Sequence, residues 1–194
     1  MKLALGLLLT SLASCAAVPQ SSSTPVPKSD VATRDNRLFL YLGQRNLDDD
    51  DWSPVDEQPM FGLEYSRETY GSAVGFEVGV MGSSDDDDVG GVDFEVKTGE
   101  VYAGVKKTFG EDVLRPYAGA GISFINLEAD ASGVADDDDS APAFYAHGGL
   151  AIAPSEAFFI GLDLRFLVGS DLTIAGFDTD ADYVQLAVFI GVGF

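Results

Sequence analysis

From residue 37 to the end of the chain, apolar residues recur at every second position, and helical periodicity is weak. A period of two belongs to strands, because successive side chains of an extended backbone point to opposite faces. The last segment is the clearest case. Val184, Leu186, Val188, Ile190, Val192 and Phe194 share one face, while Tyr183, Gln185, Ala187, Phe189, Gly191 and Gly193 share the other. Phe158, Ile160, Leu162, Leu164, Phe166 and Val168 likewise oppose Phe159, Gly161, Asp163, Arg165, Leu167 and Gly169. Similar splits set Val74, Phe76, Val78 and Val80 against Gly75, Glu77 and Gly79, and Leu114, Ala118, Ala120, Ile122 and Phe124 against Arg115, Tyr117, Gly119, Gly121 and Ser123. The pattern predicts eight strands, over 37–47, 58–67, 72–82, 99–109, 114–126, 142–153, 157–169 and 182–194. In the fourth, Val92, Phe94 and Val96 follow one parity and Val101, Ala103 and Val105 the other, so a bulge is expected near Thr98 and Gly99.

One face is uniformly apolar; the other mixes small residues, Tyr and isolated charges. A water-soluble barrel needs a charged and polar outer face, and the second face is too poor in charge to serve. It suits instead the packed interior of a narrow barrel, with Gly and Ala making room for Tyr and for paired charges. The apolar face then meets hydrocarbon, and each segment is near the 9–11 residues that a tilted strand needs to cross a bilayer. The expected fold is all-β, an eight-stranded antiparallel up-and-down transmembrane β-barrel. Glu64, Glu77, Asp163, Arg45, Arg115, Lys106 and Arg165 are expected to neutralise one another inside, with the arginines as partners of the acids, because an isolated buried charge costs several kcal/mol. Outward aromatics collect at two rims, Tyr65, Phe158 and Phe194 at one and Phe124, Phe144 and Phe166 at the other, as in interfacial girdles. Connections alternate long and short: 48–57, then 68–71; 83–98, then 110–113; 127–141, then 154–156; and finally 170–181. Such barrels have short periplasmic turns and long external loops, and an even strand count leaves both termini in the periplasm.

Residues 1–14 carry Lys2, an apolar run from Leu3 to Leu9, and then Leu12-Ala13-Ser14 before Cys15, the layout of an export signal. The run is too short for a stable membrane span. Leu-Ala-Ser-Cys resembles the lipobox of bacterial lipoproteins, which implies that Cys15 is acylated and becomes the first mature residue. Ala16 stands where that family's inner-membrane retention signal usually has Asp, which implies the outer membrane. Ordinary cleavage after Ala17, with Cys15 discarded, is the other reading. Residues 15–36 hold Pro19, Pro25 and Pro27 among Ser, Thr and Gln, a composition expected to form a flexible tether of roughly 60 Å when extended. Residues 37–194 form the barrel domain.

Arg115-Pro116-Tyr117-Ala118-Gly119-Ala120-Gly121, Val101-Tyr102-Ala103-Gly104-Val105 and the closing strand to Phe194 carry a resemblance to the small outer-membrane β-barrel family, the OmpA-type eight-stranded barrels. It implies residence in the outer membrane of a Gram-negative bacterium, contact with outer-membrane lipid and lipopolysaccharide, and a monomer. The final aromatic resembles the signal by which the insertion machinery recognises its clients. The resemblance specifies architecture and is weak for activity, since the family holds structural, adhesive and enzymatic members.

The formal net charge is −21, with 32 acids against 11 Lys and Arg. Nucleic acid is excluded as a partner, because no basic stripe offsets the repulsion of phosphate. Residues 46–57, 83–93, 128–140 and 170–182 together hold 21 acids and no Lys or Arg, which equals the whole net charge. Three of these segments carry an Asp tetrad: Asp48 to Asp51, Asp85 to Asp88 and Asp136 to Asp139. The plainer reading is solvation, in which poly-Asp keeps loops hydrated and unattractive to other sheet edges. The sharper one is weak binding of Ca²⁺ or Mg²⁺, whose preferred ligands are carboxylate oxygens, bridging to lipopolysaccharide. No EF-hand spacing is present.

No catalytic, cofactor-binding or metal site is predicted, and no cofactor. His147, the single His, has the inward parity of Tyr145, Gly149 and Ala151, and is read as a satisfied interior imidazole. Eight-stranded lipid A deacylases resemble this architecture and use His-x-Ser; His147-Gly148-Gly149 lacks the Ser. Trp52 is either an anchor for a partner or a fold-back onto the rim. One Cys excludes a disulfide framework. Eight strands enclose too little space for an aqueous pore. The expected function is non-enzymatic: a structural or surface-interaction role through acidic loops. The alternatives are a lipid-anchored lipocalin-like carrier with its apolar face inside, and a membrane-embedded lipid-modifying enzyme.

Overall fold

A computed structural model describes residues 35–47, 55–69, 72–89, 92–110, 112–131, 137–155, 157–174 and 176–194. The signal segment, Cys15 and the tether up to residue 34 lie outside the described residues, as do Asp48 to Asp51 and Trp52. The strands are β1 (Asn36–Leu47), β2 (Glu57–Arg67), β3 (Gly75–Val89), β4 (Val92–Thr108), β5 (Leu114–Ala131), β6 (Asp137–Ser155), β7 (Phe158–Val168), β8 (Asp171–Ile174), β9 (Phe177–Asp180) and β10 (Tyr183–Gly193). Eight of them close an antiparallel barrel in the order β1-β10-β7-β6-β5-β4-β3-β2, and β8 with β9 forms a separate hairpin. The closing ladder runs from Arg37↔Gly193 to Leu47↔Tyr183. Phe194 N–H donates to Asn36 O at 2.9 Å, so both ends of the barrel meet at one rim, here the terminal end.

The apolar parity faces outward on every barrel strand. Leu162, Val188 and Ile190 are 54, 54 and 49% exposed, which excludes the enclosed apolar cavity that a lipocalin-like carrier requires. Inside, glycines make room for rings: a Cβ on Gly79 would overlap Tyr102, and one on Gly191 would overlap Phe39. The rims carry the expected aromatics. Phe144 lies opposite Ile122 and Phe166 opposite Ala146 near the loop end. Tyr65 lies opposite Leu38 and Phe158 opposite Val192 near the terminal end.

Three expectations are corrected. No bulge occurs at Thr98 and Gly99; β4 pairs without a shift through Ser83↔Thr98 and Gly82↔Gly99. The irregularity lies between Ile152 and Ser155 instead. The segments 83–98 and 127–141 are largely strand rather than loop, because the β3–β4 ladder continues to Val89↔Val92 and the β5–β6 ladder to Ala129↔Asp137. The segment 170–181 holds the β8–β9 hairpin, whose base is tied by Ser170 Oγ donating to Asp182 Oδ1 at 2.8 Å.

What misled the parity of β4 is a change of solvent along one strand. Near the terminal end, outward positions are apolar and inward ones small or polar. Beyond Phe124 the rule inverts: outward Asn126 and Glu128 are polar, while inward Ile125 and Leu127 are fully buried. The same inversion turns outward Val101 into Gly99, Lys97 and Glu95, with Val96 buried inside. Apolar residues outside face hydrocarbon; past its edge the outside is water and the apolar side chains move in. There Leu47, Val55, Val96, Ile125, Leu127 and Leu172 belong to one buried cluster that fills the loop end.

Strands β3 to β6 continue as a sheet beyond this level; Ser84 to Val89 alone add roughly 20 Å along β3 at about 3.4 Å per residue. The β2–β3 ladder stops at Met60↔Ser83 and the β6–β7 ladder at Phe144↔Val168. Among the described strands, β3 beyond Ser83 is therefore an edge, while β6 before Phe144 has β8 packed beside it in place of β7. Asp85 to Asp88 lie in the first and Asp137 to Asp139 in the second.

Candidate functional site

The interior between the two ends holds two layers of paired charge. Strand alternation delivers one or two inward side chains from each strand at each level, and closure of the barrel brings them together.

The layer nearer the loop end is centred on Glu100 of β4. Its carboxylate accepts from Arg45 Nη2 at 2.9 Å, Arg165 Nη2 at 2.7 Å, Tyr183 OH at 2.6 Å and Ser123 Oγ at 2.7 Å. Arg45 also donates to Thr98 Oγ1 at 2.7 Å and to Gln185 Oε1 at 3.1 Å. Each guanidinium lies on aromatic faces, Arg45 at 3.9 Å from the Tyr183 centroid and Arg165 at 4.0 and 3.9 Å from Tyr102 and Tyr145.

The second layer joins Glu64 (β2), Glu77 (β3), Lys106 (β4), His147 (β6) and Asp163 (β7). Lys106 Nζ is 2.7 Å from Glu64 Oε1 and 3.9 Å from Glu77 Oε2. His147 Nε2 is 3.0 Å from Glu77 Oε1, and His147 Nδ1 is 2.9 Å from Asp163 Oδ2. Tyrosines orient all three acids: Tyr102 OH donates to Glu64 at 3.0 Å, Tyr145 OH to Glu77 at 2.7 Å and Tyr117 OH to Asp163 at 2.6 Å. Towards the terminal end this layer is closed by Phe39, Phe159 and Phe189, with Phe39 centroids 5.9 and 5.4 Å from the other two. A polar middle thus lies between an aromatic plug and the apolar cluster at the loop end, an arrangement unsuited to an aqueous pore.

The pairing differs from the expected one. Arg115 does not enter the interior. It is half-buried near the terminal end, its Nε donating to Asp112 O at 2.8 Å, because its position is the second residue of β5 and lies below the aromatic plug. Glu64 and Glu77 pair with Lys106 rather than with an arginine, and Asp163 pairs with His147. The two arginines converge on Glu100, which sequence reasoning missed. Glu100 follows Gly99, where the parity was in doubt; its even number, shared with Tyr102 and Lys106, was the available signal. His147 is inward and buried, as its parity predicted.

At the loop end, Asp139 Oδ2 accepts the Thr173 N–H at 2.8 Å and its Oδ1 accepts the Ser140 N–H at 2.7 Å. These backbone bonds, Thr173 first, hold the Asp139 carboxyl below its ordinary pKa. An acid of one tetrad therefore ties the β8–β9 hairpin to β6.

A model of the outer membrane protein beta-barrel domain matches residues 6–194. Among curated proteins, none matches this chain. The fold is similar to that of Neisserial surface protein A, with a TM-score of 0.62 and 12% identity over 82% of this chain and 96% of that one. It is also similar to Ail, the attachment invasion locus protein of Yersinia pestis, with a TM-score of 0.58 and 17% identity over 82% and 97% of the two chains. OprG from Pseudomonas aeruginosa gives a TM-score of 0.58 and 12% identity, over 82% and 96%. At these identities the likeness is one of fold.

Proposed function

We propose, because this chain belongs to the outer membrane protein beta-barrel domain family, that its working surface is the acidic loop end and that its role is non-enzymatic, in surface structure or surface interaction. Membership places it in the outer membrane of a Gram-negative bacterium. The loop end faces outward from the cell and both termini lie in the periplasm, a reading supported by the long β3–β4 and β5–β6 hairpins that project beyond the apolar belt at the loop end, while the strands at the terminal end stop near that belt. Acylation of Cys15 in the inner leaflet is compatible with that side, and the barrel acts as a monomer.

The observation that carries the proposal is the segregation of charge. The segments at the loop end hold 21 acids, while the rest of the chain balances. Such a surface repels polyanions. Ail has been solved with the heparin analogue sucrose octasulfate; a sulfated ligand has the wrong sign for this loop end. Divalent cations have the right one, and an anionic outer leaflet beside an anionic crown requires counter-ions. Ca²⁺ or Mg²⁺ bridging acidic side chains to lipopolysaccharide phosphate is the interaction we assign. A non-enzymatic role is supported by His147, whose two ring nitrogens are engaged inside the barrel rather than at the lipid face.

Calorimetric titration of the purified barrel with Ca²⁺ tests the cation step. Heat that disappears when Asp85 to Asp88 are changed to Asn is the expected result. No heat would remove cation bridging and leave solvation as the role of the acids.

A further inference from the structure

We propose that Glu64, Glu77 and His147 form a divalent-metal donor set whose cation is supplied in cis by the Lys106 ammonium, so that truncating Lys106, which removes both its charge and its bulk, opens the site to a Zn²⁺-class ion.

One ligand atom from each of Glu64, Glu77 and His147 lies within 4.8 Å of the other two. Two nitrogen or oxygen donors on a tetrahedral zinc are about 3.3 Å apart, so the most widely separated donors need to close by up to about 1.5 Å, within the reach of a carboxylate side-chain rotation. Two carboxylates and an imidazole are a zinc-type set. Beyond the donors, the surroundings are those of a metal site. Asp163 Oδ2 lies 2.9 Å from His147 Nδ1, the carboxylate–imidazole pairing that fixes ring orientation and turns Nε2 towards a metal. Tyr41 and Tyr102 donate to Glu64 Oε2 at 3.2 and 3.0 Å, and Tyr145 donates to Glu77 Oε1 at 2.7 Å, which holds both carboxylates in place.

A positive charge already sits among these donors. Lys106 Nζ contacts Glu64 Oε1 at 2.7 Å and is caged between the Phe39 and Tyr117 rings at 4.7 and 4.4 Å. Truncation at Lys106 leaves the buried carboxylates Glu64, Glu77 and Asp163 with one imidazole between them, a deficit that a dication makes good. Metal binding at His147 Nε2 replaces its hydrogen bond to Glu77, and any proton on Nε2 is released to solvent. Since the layer is closed at both ends, the ion enters as the barrel forms.

The test is refolding of the full chain, without a histidine tag, from urea into detergent micelles with and without Zn²⁺, and with Co²⁺ as a spectroscopic probe. Lys106→Ala is expected to gain a Zn²⁺-dependent folded fraction and a Co²⁺ visible band. Lys106→Met, which removes the charge but fills the space, and the wild type are expected to show neither. Asp163→Asn in the Lys106→Ala background should weaken the metal about 10–100-fold. The proposal is overturned if Lys106→Ala shows no metal response, including failure to fold with or without Zn²⁺. A response that persists in Lys106→Ala/His147→Gln, or appears equally in Lys106→Met or the wild type, overturns it as well.

Discussion

Phe124 and Ile125 are consecutive in β5 and both apolar, yet the first is 51% exposed and the second wholly buried. Alternation alone sends them to opposite faces. That both faces accept an apolar side chain at this height marks the level where the surroundings of the barrel change from hydrocarbon to water.

A charge on the outward face below that level is therefore expensive. Leu162→Arg, at the middle of β7, is expected to destabilise the barrel by about 2–4 kcal/mol. Asn126→Arg, outward but above the level, gives up the Asn126 Nδ2 bonds to Asp139 O and Ser140 Oγ and should cost only about 0.5–1.5 kcal/mol. Equilibrium urea unfolding in lipid vesicles measures both; equal costs would place the edge of the membrane elsewhere.

Glu100 holds two guanidiniums together. Glu100→Gln leaves Arg45 and Arg165 facing each other without a counter-charge and is expected to cost about 3–5 kcal/mol, the cost of breaking a buried pair. Replacing Arg165 by Met in the same chain should recover part of the loss, because the excess positive charge falls. The midpoint of heat-dependent gel mobility reports both variants.

Asp139 makes the docking of the β8–β9 hairpin pH-dependent. Its folded pKa is depressed by the Thr173 and Ser140 amides. A depressed acid contributes stability that is complete above the unfolded value, about 3.9, and is lost as pH falls through the folded one. The Thr173 amide resonance should hold steady at neutral pH and shift below the ordinary Asp range. In Asp139→Asn that shift should shrink to what the neighbouring Asp178 produces; a wild-type resonance that stays flat in acid counts against the contact.

Asp85 to Asp88 lie on an edge, in β3 beyond Ser83 where its ladder with β2 has ended; on the other side of the projecting sheet, β6 is flanked by the β8–β9 hairpin through Asp139 and Thr173. Charge on an exposed edge discourages pairing with another chain. Changing Asp85 to Asp88 to Thr should promote self-association, read by analytical ultracentrifugation in detergent; an unchanged monomer would assign those acids to cation binding or solvation alone.

Alternation made the number of barrel strands legible, and also which residues of β5, β7 and β10 face lipid and that His147 turns inward, because a period of two is a local property of extended chain. The extent of β3 to β6 was not legible, since apolar residues that swap faces at the edge of the membrane look like a bulge or a loop. The interior pairs were half legible. Parity fixes that Glu64, Lys106 and Asp163 point inward, but not which strand lies across from which.

The one-dimensional sequence therefore determined the eight barrel strands within the apolar belt, their faces there, the solvent each face prefers and the end that carries the acids. Only closure of the barrel decided that Glu100 joins Arg45 to Arg165, that Lys106 sits among Glu64, Glu77 and His147, and that Arg115 lies beside Phe159 near the terminal end. Facing is set residue by residue by backbone pleat. Contact across a barrel depends on register and shear summed around all eight barrel strands.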